Sequence, residues 1–506
     1  MRYDKSVPTF HVENFGCRAT QADGAALERQ FEARGLARAS ADDADFVILN
    51  SCTVTNSADR DARAAIRRVQ RHNPLAKIIV TGCYAQRAPE EVAALPGVTT
   101  VVGNSHKHQL AGLVLDEHFR EDHTFLPLSA LTEKRDLENE NSIFVSDIFA
   151  HTELLAAPVF ESASGAGVHE NDRTRPNLKV QDGCDNRCSF CVIPSVRGQS
   201  RSLPASQVIR EMNALVAAGY REVVISGINL GRWGRDLNAA DCGFRLPASG
   251  RRQPRFENLV RTVLAETRLE KLRISSVEPM DWLDELIALV ASSPRIAKHA
   301  HVPLQSGSDA VLRRMHRKYR PWHYREKIEK IRAAMPAAAI GADVMVGFPG
   351  ETDAEFECTR RLIEELPLTY LHVFSYSARP GTPAAAMTEQ VPLQVARERN
   401  KILRDLAAAK KEAFMQSFVG EALDAITLSA VHNGPAGDFT EALTDNYQKL
   451  FLKGSHAANR WIPVQIEEVR DGALVGNSTT QTAMPMPVLR APWKTRTSQT
   501  CDAGLS

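Results

Sequence analysis

Cys184-Asp185-Asn186-Arg187-Cys188-Ser189-Phe190-Cys191 sets three thiols in a C-x₃-C-x₂-C spacing, directly behind a strand-like run from Asn177 to Gln181. A zinc site needs a fourth Cys or His at a suitable spacing. None is local: His151 and His169 lie before the run, and Cys242 stands about 50 residues beyond it. A redox pair does not need Cys184, and an electron-transfer cluster normally takes a fourth thiolate. Three ligands on a four-iron cluster leave one iron open to a small molecule, and that reading fits the spacing best.

The surrounding pattern is strand–helix alternation. Candidate strands at Asn177–Gln181, Glu222–Ser226, Lys271–Ser275, His299–Pro303, Ile340–Met345 and Tyr370–Phe374 alternate with helical patterns over 205–218, 257–268, 281–292, 308–333 and 352–366. Six such units over 173–405 predict a partial (β/α)₆ barrel, with chemistry at the strand C-termini. Residues 1–125 alternate in the same way. Strand patterns at Thr9–Phe15, Asp45–Asn50, Lys77–Thr81 and Thr99–Val102, with helices over 21–34 and 57–71, predict a doubly wound parallel sheet. Cys17, Cys52 and Cys83 each follow the end of one of these strands. Strand C-termini share one edge of such a sheet, so the three thiols are expected to converge on a second metal or cluster site. A single cysteine at such a place is ordinarily core; three at equivalent places are not. Arg60, Arg63, Arg67 and Arg71 fall on one helix face, which reads either as a solvated surface or as a phosphate contact.

Residues 126–172 mix acidic residues with Ala, Ser and Gly and read as a linker. Beyond a helix over 400–416, strand patterns at Ala422–Leu428, Glu441–Leu452 and Trp461–Val469 predict a small β-barrel over 406–480, and residues 481–506 read as a disordered tail. Cys242, Cys358 and Cys501 carry no ligand pattern. A net charge of +1 gives no bulk argument for nucleic acid, and no apolar run or signal core is present. A monomeric, cytoplasmic protein without membrane contact is expected.

The cysteine run resembles the defining pattern of the radical S-adenosylmethionine superfamily. The resemblance implies that Cys184, Cys188 and Cys191 hold a [4Fe–4S] cluster that chelates S-adenosyl-L-methionine and cleaves it to a 5′-deoxyadenosyl radical. It further implies cofactor contacts at Phe190, Gly227, Ser275, Glu278, Gln305 and Asp343. Phe15-Gly16-Cys17-Arg18, Asn50-Ser51-Cys52-Thr53, Thr81-Gly82-Cys83-Tyr84, Val196-Arg197-Gly198, His301-Val302-Pro303-Leu304-Gln305 and Val346-Gly347-Phe348-Pro349-Gly350-Glu351 narrow the resemblance to the methylthiotransferases. That family implies a second [4Fe–4S] cluster on Cys17, Cys52 and Cys83, a TRAM-like RNA-binding end domain, an electron donor and a sulfur source. Thr53-Val54-Thr55-Asn56, Lys179-Val180-Gln181-Asp182-Gly183 and Arg317-Lys318-Tyr319 resemble most the branch that modifies threonylcarbamoyladenosine in tRNA. One departure is the Arg-Ala-Thr-Gln-Ala-Asp run after Cys17, where the family more often carries an asparagine. The alternatives are isopentenyladenosine in tRNA, a ribosomal-protein aspartate, or a non-catalytic iron–sulfur scaffold or sensor.

Overall fold

The computed structural model describes residues 7–121, 142–151, 174–238, 253–434 and 437–479. Cys242, Cys501, the 481–506 tail and most of the 126–172 stretch lie outside the described residues.

The first unit is a parallel sheet of β1 (Thr9–Asn14), β2 (Ala37–Arg38), β3 (Phe46–Ser51), β4 (Lys77–Gly82), β5 (Val98–Gly103) and β6 (Ser142–Phe144), in the order β2-β1-β3-β4-β5-β6. Its helices are α1 (Arg18–Glu32), α2 (Asn56–His72), α3 (Cys83–Arg87), α4 (Pro89–Ala93) and α5 (Leu110–Glu121). Every residue of β3 is buried, as expected of a central parallel strand covered on both faces. Val47 and Leu49 share a core with Ile66 and Val69 of α2, whereas Phe46 and Ile48 share one with Leu27 and Phe31 of α1. Residues 142–151, expected as connection, instead add β6 to the sheet edge, where Ser142–Phe144 pairs with Thr100–Val102. Three residues carry too little periodicity to mark a strand from sequence.

The second unit contains β7 (Asn177–Asp182), β8 (Arg201–Ser202), β9 (Glu222–Gly227), β10 (Lys271–Ile274), β11 (His299–His301), β12 (Ala339–Val346) and β13 (Tyr370–Ser375). Six of them form two parallel arcs, β10-β9-β7 and β11-β12-β13, joined by single bridges at Leu272–Ile296 and Ser276–His301. Antiparallel β8 borders β7. Around the arcs lie α6 (Ile193–Arg197), α7 (Ala205–Ala217), α8 (Phe256–Glu266), α9 (Asp284–Ser292), α10 (Asp309–Arg314), α11 (Pro321–Ala334) and α12 (Asp353–Glu365); Cys358 lies within α12. This is the expected open barrel. The helix expected over 308–333 is broken: α10 stops before His316, whose φ is +56°, and Pro321 opens α11 at its first turn. The intervening loop carries Arg317.

The third unit follows α13 (Leu393–Gln416) and closes into a five-stranded barrel, β14-β15-β16-β18-β17. Its strands are β14 (Ala422–Gly434), β15 (Gly437–Thr444), β16 (Lys449–Lys453), β17 (Trp461–Arg470) and β18 (Ala473–Ser478). The single strand expected over Glu441–Leu452 is a hairpin, because Asp445-Asn446 supplies turn chemistry and Tyr447 takes φ +67°. The turn faces the two preceding units. Arg18 donates to the Tyr447 hydroxyl at 3.0 Å, and Arg273 stands 5.3 Å from the centre of that ring. The Asn446 amide donates to the Ala337 carbonyl at 3.1 Å. Thr444–Tyr447 is therefore a docking element between units.

A buried charge network joins the first two units. Asp23 of α1 accepts from Lys107 at 3.2 Å, from Lys179 of β7, and from Arg197 of α6 at 2.9 Å. Asp182 accepts from Lys179 at 2.7 Å and from Arg197 at 2.9 and 3.1 Å. Burial alone pushes both carboxyls up, yet the surrounding cations hold them well below the usual carboxylate range.

Asp23→Asn leaves three buried cations with one carboxylate and is expected to cost about 3–5 kcal/mol in urea unfolding at neutral pH. Because both folded-state pKa values are depressed, the network's stabilisation is complete above about pH 4, the unfolded carboxylate value, and is lost as the pH falls below it. Wild type should therefore lose more stability than the variant on acidification. A variant within about 1 kcal/mol of wild type at neutral pH would contradict this reading.

Candidate active site

The loop behind β7 is built by close backbone approach. Gly183 has φ +69°, and a Cβ there would stand 1.9 Å from the Gln199 carbonyl oxygen. Buried Gln181 spans the turn: its amide donates to the carbonyls of Asp182 and Gly183 at 2.9 and 2.8 Å and to the Ser200 hydroxyl at 2.9 Å. Its side-chain oxygen accepts from Asn229 N–H at 2.6 Å. Gly227 is needed where β9 passes Gln181, since a Cβ would lie 2.9 Å from that side chain.

The three thiols sit in different hydrogen-bond surroundings. The sulfur of Cys184 accepts from Asn186 N–H at 3.4 Å and from the Asn229 amide at 3.6 Å. The sulfur of Cys188 accepts from Arg317 at 3.2 Å. Burial pushes the Cys184 thiol up and the Cys191 thiol up to about 12, so thiolates here require a cationic partner to offset desolvation. Arg317 is one such cation, and its other nitrogen pairs with Glu278. Burial raises the Glu278 carboxyl, against the pull of Arg317. Cys188, Glu278, Met280, Arg317 and Tyr319 line one pocket. An adjoining cavity of about 130 Å³ is lined by Asn186, Asn229, Arg232 and Lys318.

The other expected contacts divide by depth. The Phe190 ring meets Phe348 edge-on at 6.5 Å. Ser275 follows β10, held by its N–H to the Ile225 carbonyl at 3.1 Å. Gln305 follows β11 with φ +62°, a conformation that a side chain rarely adopts. It is fixed by donation to the Asp343 carbonyl at 2.8 Å and acceptance from Met345 N–H at 2.8 Å. The Asp343 carboxylate itself points to His301 and His372, 3.4 Å from each. Nothing in the local sequence marks Asn229 as a neighbour of Cys184. Arg317 stood in a recognisable run, but nothing in that run announced its reach to Cys188.

The cysteines of the first unit do converge. Strands β1, β3 and β4 are neighbours, with Asn14 opposite Asn50 and Asn50 opposite Thr81. Cys17, Cys52 and Cys83 leave them at one edge. Gly16, at φ +101°, lets the chain pass Cys52: a Cβ there would lie 2.5 Å from the Cys52 Cβ. Burial pushes the Cys52 thiol up to about 12, and the neighbouring Cys83 and Cys17 thiols add to the shift. The Asn104 amide donates to the Cys83 sulfur at 3.5 Å and to the Val196 carbonyl at 2.8 Å.

Cys83 also shares a hydrophobic cluster with Val192 and Val196. Val192 follows Cys191 directly, so the two triads border one wall. Arg379, beyond β13, strengthens the junction by donating to Thr53 at 2.6 Å and to Asp59 at 2.5 Å.

Among the described residues, only His301, Asp343 and His372 bring three ligand atoms within 4.8 Å of one another. Thiolates on one tetrahedral zinc stand about 3.8 Å apart, so neither cysteine triad is drawn up for a single ion. The thiols behind β7 are half-buried with N–H donors aimed at the Cys184 and Cys188 sulfurs. In the first unit Cys52 and Cys83 are buried while Cys17 is exposed beside the Thr20 hydroxyl at 3.5 Å, and both donor sets fit a multi-iron cluster. In the α2 stripe, Arg63 is tied to the Tyr84 hydroxyl at 2.7 Å and to Glu91. Arg60, Arg67 and Arg71 are exposed.

Comparison with known proteins agrees with this architecture. Residues 9–103 match the model of Uncharacterized protein family UPF0004, and residues 178–363 match that of the Radical SAM superfamily. The chain is 36% identical over 450 residues to threonylcarbamoyladenosine tRNA methylthiotransferase MtaB of Bacillus subtilis, covering 88% of this chain and 90% of that one. It is 33% identical to the protein of the same name from Aquifex aeolicus, covering 90% and 99%. It is also 34% identical to tRNA-2-methylthio-N(6)-dimethylallyladenosine synthase of Novosphingobium aromaticivorans, covering 83% and 87%. The structure of the radical S-adenosylmethionine methyltransferase TsrM from Kitasatospora setae aligns with a TM-score of 0.53 at 15% identity, over 75% of this chain and 77% of that one. That likeness is one of fold. An iron–sulfur cluster and S-adenosylmethionine come with the family, and no helix among the described residues is long and apolar enough to cross a membrane. With a UPF0004 unit, a radical barrel and relatives that match along most of its length, the chain belongs to the radical S-adenosylmethionine tRNA methylthiotransferases.

Proposed function

We propose that this enzyme places a methylthio group on C2 of the adenine in N6-threonylcarbamoyladenosine, next to the anticodon of tRNA. Five relatives bearing the MtaB name, at 31–36% identity, support that substrate. The relatives named for dimethylallyladenosine, at 31–34%, favour the second reading, in which that nucleoside is modified.

The observation that carries the reaction is the wall shared by Cys83 and Val192, which supports two clusters facing one substrate. On this reading Cys184, Cys188 and Cys191 hold one [4Fe–4S] cluster, and Cys17, Cys52 and Cys83 hold another. With S-adenosylmethionine bound, the first supplies the radical that opens the C–H bond. Phe190, Gly227, Ser275, Glu278 and Gln305 line the cofactor's place, and Asp343 contributes through the main-chain oxygen that fixes Gln305. Arg317 holds Glu278 and offsets thiolate charge at Cys188, while Phe190 and Phe348 exclude water from the reacting end. Exposed Arg60, Arg67 and Arg71 and the C-terminal barrel provide phosphate contacts for tRNA.

Anaerobically reconstituted wild type is expected to hold about eight irons per chain, and each triple Cys→Ala variant about four. One cluster in wild type would remove the second site. The Cys17/Cys52/Cys83 variant should still cleave S-adenosylmethionine under a strong reductant, whereas the Cys184/Cys188/Cys191 variant should not.

Nucleoside mass spectrometry of tRNA from a deletion strain should lose the methylthio mark on threonylcarbamoyladenosine. Loss on the dimethylallyl nucleoside instead would select the second reading.

A further inference from the structure

Below the cysteine loop, adjacent strands β11, β12 and β13 present His301, Asp343 and His372 on one face. Asp343 and His372 are direct cross-strand partners, and His301 pairs with Gly341, two residues earlier on β12. The intervening residues Ala300, Val302, Ala342 and Val344 are buried in the hydrophobic core of the barrel unit. Strand alternation therefore turns the three polar side chains to the opposite, inner face.

Their spacing does not suit a plain ion pair. Nε2 of His301 and Nδ1 of His372 each stand 3.4 Å from Oδ1 of Asp343. A charge-assisted N–H···O⁻ bond closes to about 2.7–2.9 Å. The His301 side chain is about nine-tenths buried, and its Nε2 has no hydrogen-bond partner, which is costly for a buried polar atom. By contrast, ligands about 2.1 Å from one tetrahedral cation stand about 3.4 Å from each other. All three ligand atoms lie within 4.8 Å of one another. Two imidazoles and one carboxylate make a donor set suited to divalent d-block ions, with coordination positions left open.

We infer that His301 Nε2, His372 Nδ1 and Asp343 Oδ1 form a site for a divalent d-block cation of the Zn²⁺ type, on the inner face of the barrel and separate from both cysteine triads. The cation satisfies the orphaned His301 nitrogen, neutralises the half-buried Asp343 carboxylate, and keeps at least one position for an oxygen ligand. The site stands whichever nucleoside the enzyme modifies. It also distinguishes the second arc of the barrel from the first: β7, β9 and β10 carry the cysteine loop and its supports, whereas β11–β13 carry the imidazoles.

The test uses cluster-replete enzyme, so that the cysteines are already occupied. Wild type equilibrated with ZnCl₂ and then desalted should retain about one Zn²⁺ per chain by elemental analysis. His372→Ala and Asp343→Asn should retain less than about one-tenth of that, with iron and acid-labile sulfide unchanged. Loss of the free Mn²⁺ signal on titration, read by electron paramagnetic resonance with the clusters oxidised, gives a second measure. His372 is more than half exposed, so its replacement leaves the fold in place, and equal iron content verifies this. Zinc absent from wild type, or retained equally by both variants, overturns the site. Neither result bears on the iron count or on the tRNA nucleoside.

Discussion

Arg197 is the residue on which the arrangement of this enzyme turns. It sits six residues beyond Cys191, ends the short helix α6, and grips two buried carboxylates at once: Asp182, from the strand that launches the cysteine loop, and Asp23, from the first helix of the N-terminal sheet. Lys107 and Lys179 complete the set from either side. A buried ion set tolerates little displacement, because any opening strands a charge in a medium that cannot solvate it. The network thus fixes the angle at which the two sheets meet. The contact of Cys83 with Val192 follows from that angle, and with it the common wall of the two cysteine triads.

Charge near the thiols has a second consequence. Burial raises the Cys52, Cys184 and Cys191 thiols, so each triad disfavours thiolate in the absence of a counter-charge. Cations are supplied from outside the cysteine motifs: Arg317 at Cys188, and Arg197 facing the N-terminal triad. Both lie on segments that connect the sheets or interrupt a helix. The break between α10 and α11, at His316 and Pro321, is what delivers Arg317 to Cys188.

Much of this was legible in the sequence wherever local pattern decides structure. The strand runs at Thr9–Asn14, Phe46–Ser51 and Lys77–Gly82 are short patterns with β-type residues, and Cys17, Cys52 and Cys83 follow their ends. Parallel-sheet geometry then brings the cysteines together without knowledge of any side-chain contact. The cysteine loop behind β7 was readable for the same reason. What escaped depends on partners distant in the chain. β6 is three residues long and exists only because β5 offers an edge. The hairpin at Asp445–Tyr447 interrupts the strand pattern over Glu441–Leu452, and its Tyr447 is fixed by Arg18 and Arg273, which no local pattern connects to it. His301, Asp343 and His372 were spread over 72 positions (301 to 372), and only strand register joins them.

The central claim is that the two cysteine triads hold clusters close enough to act on one substrate. Electron paramagnetic resonance of the dithionite-reduced enzyme tests it directly. Two paramagnetic clusters across one wall interact, so the wild-type spectrum is predicted to be broadened and split relative to the sum of the spectra from the two single-triad variants. A wild-type spectrum equal to that sum, with both clusters reduced, would contradict the account.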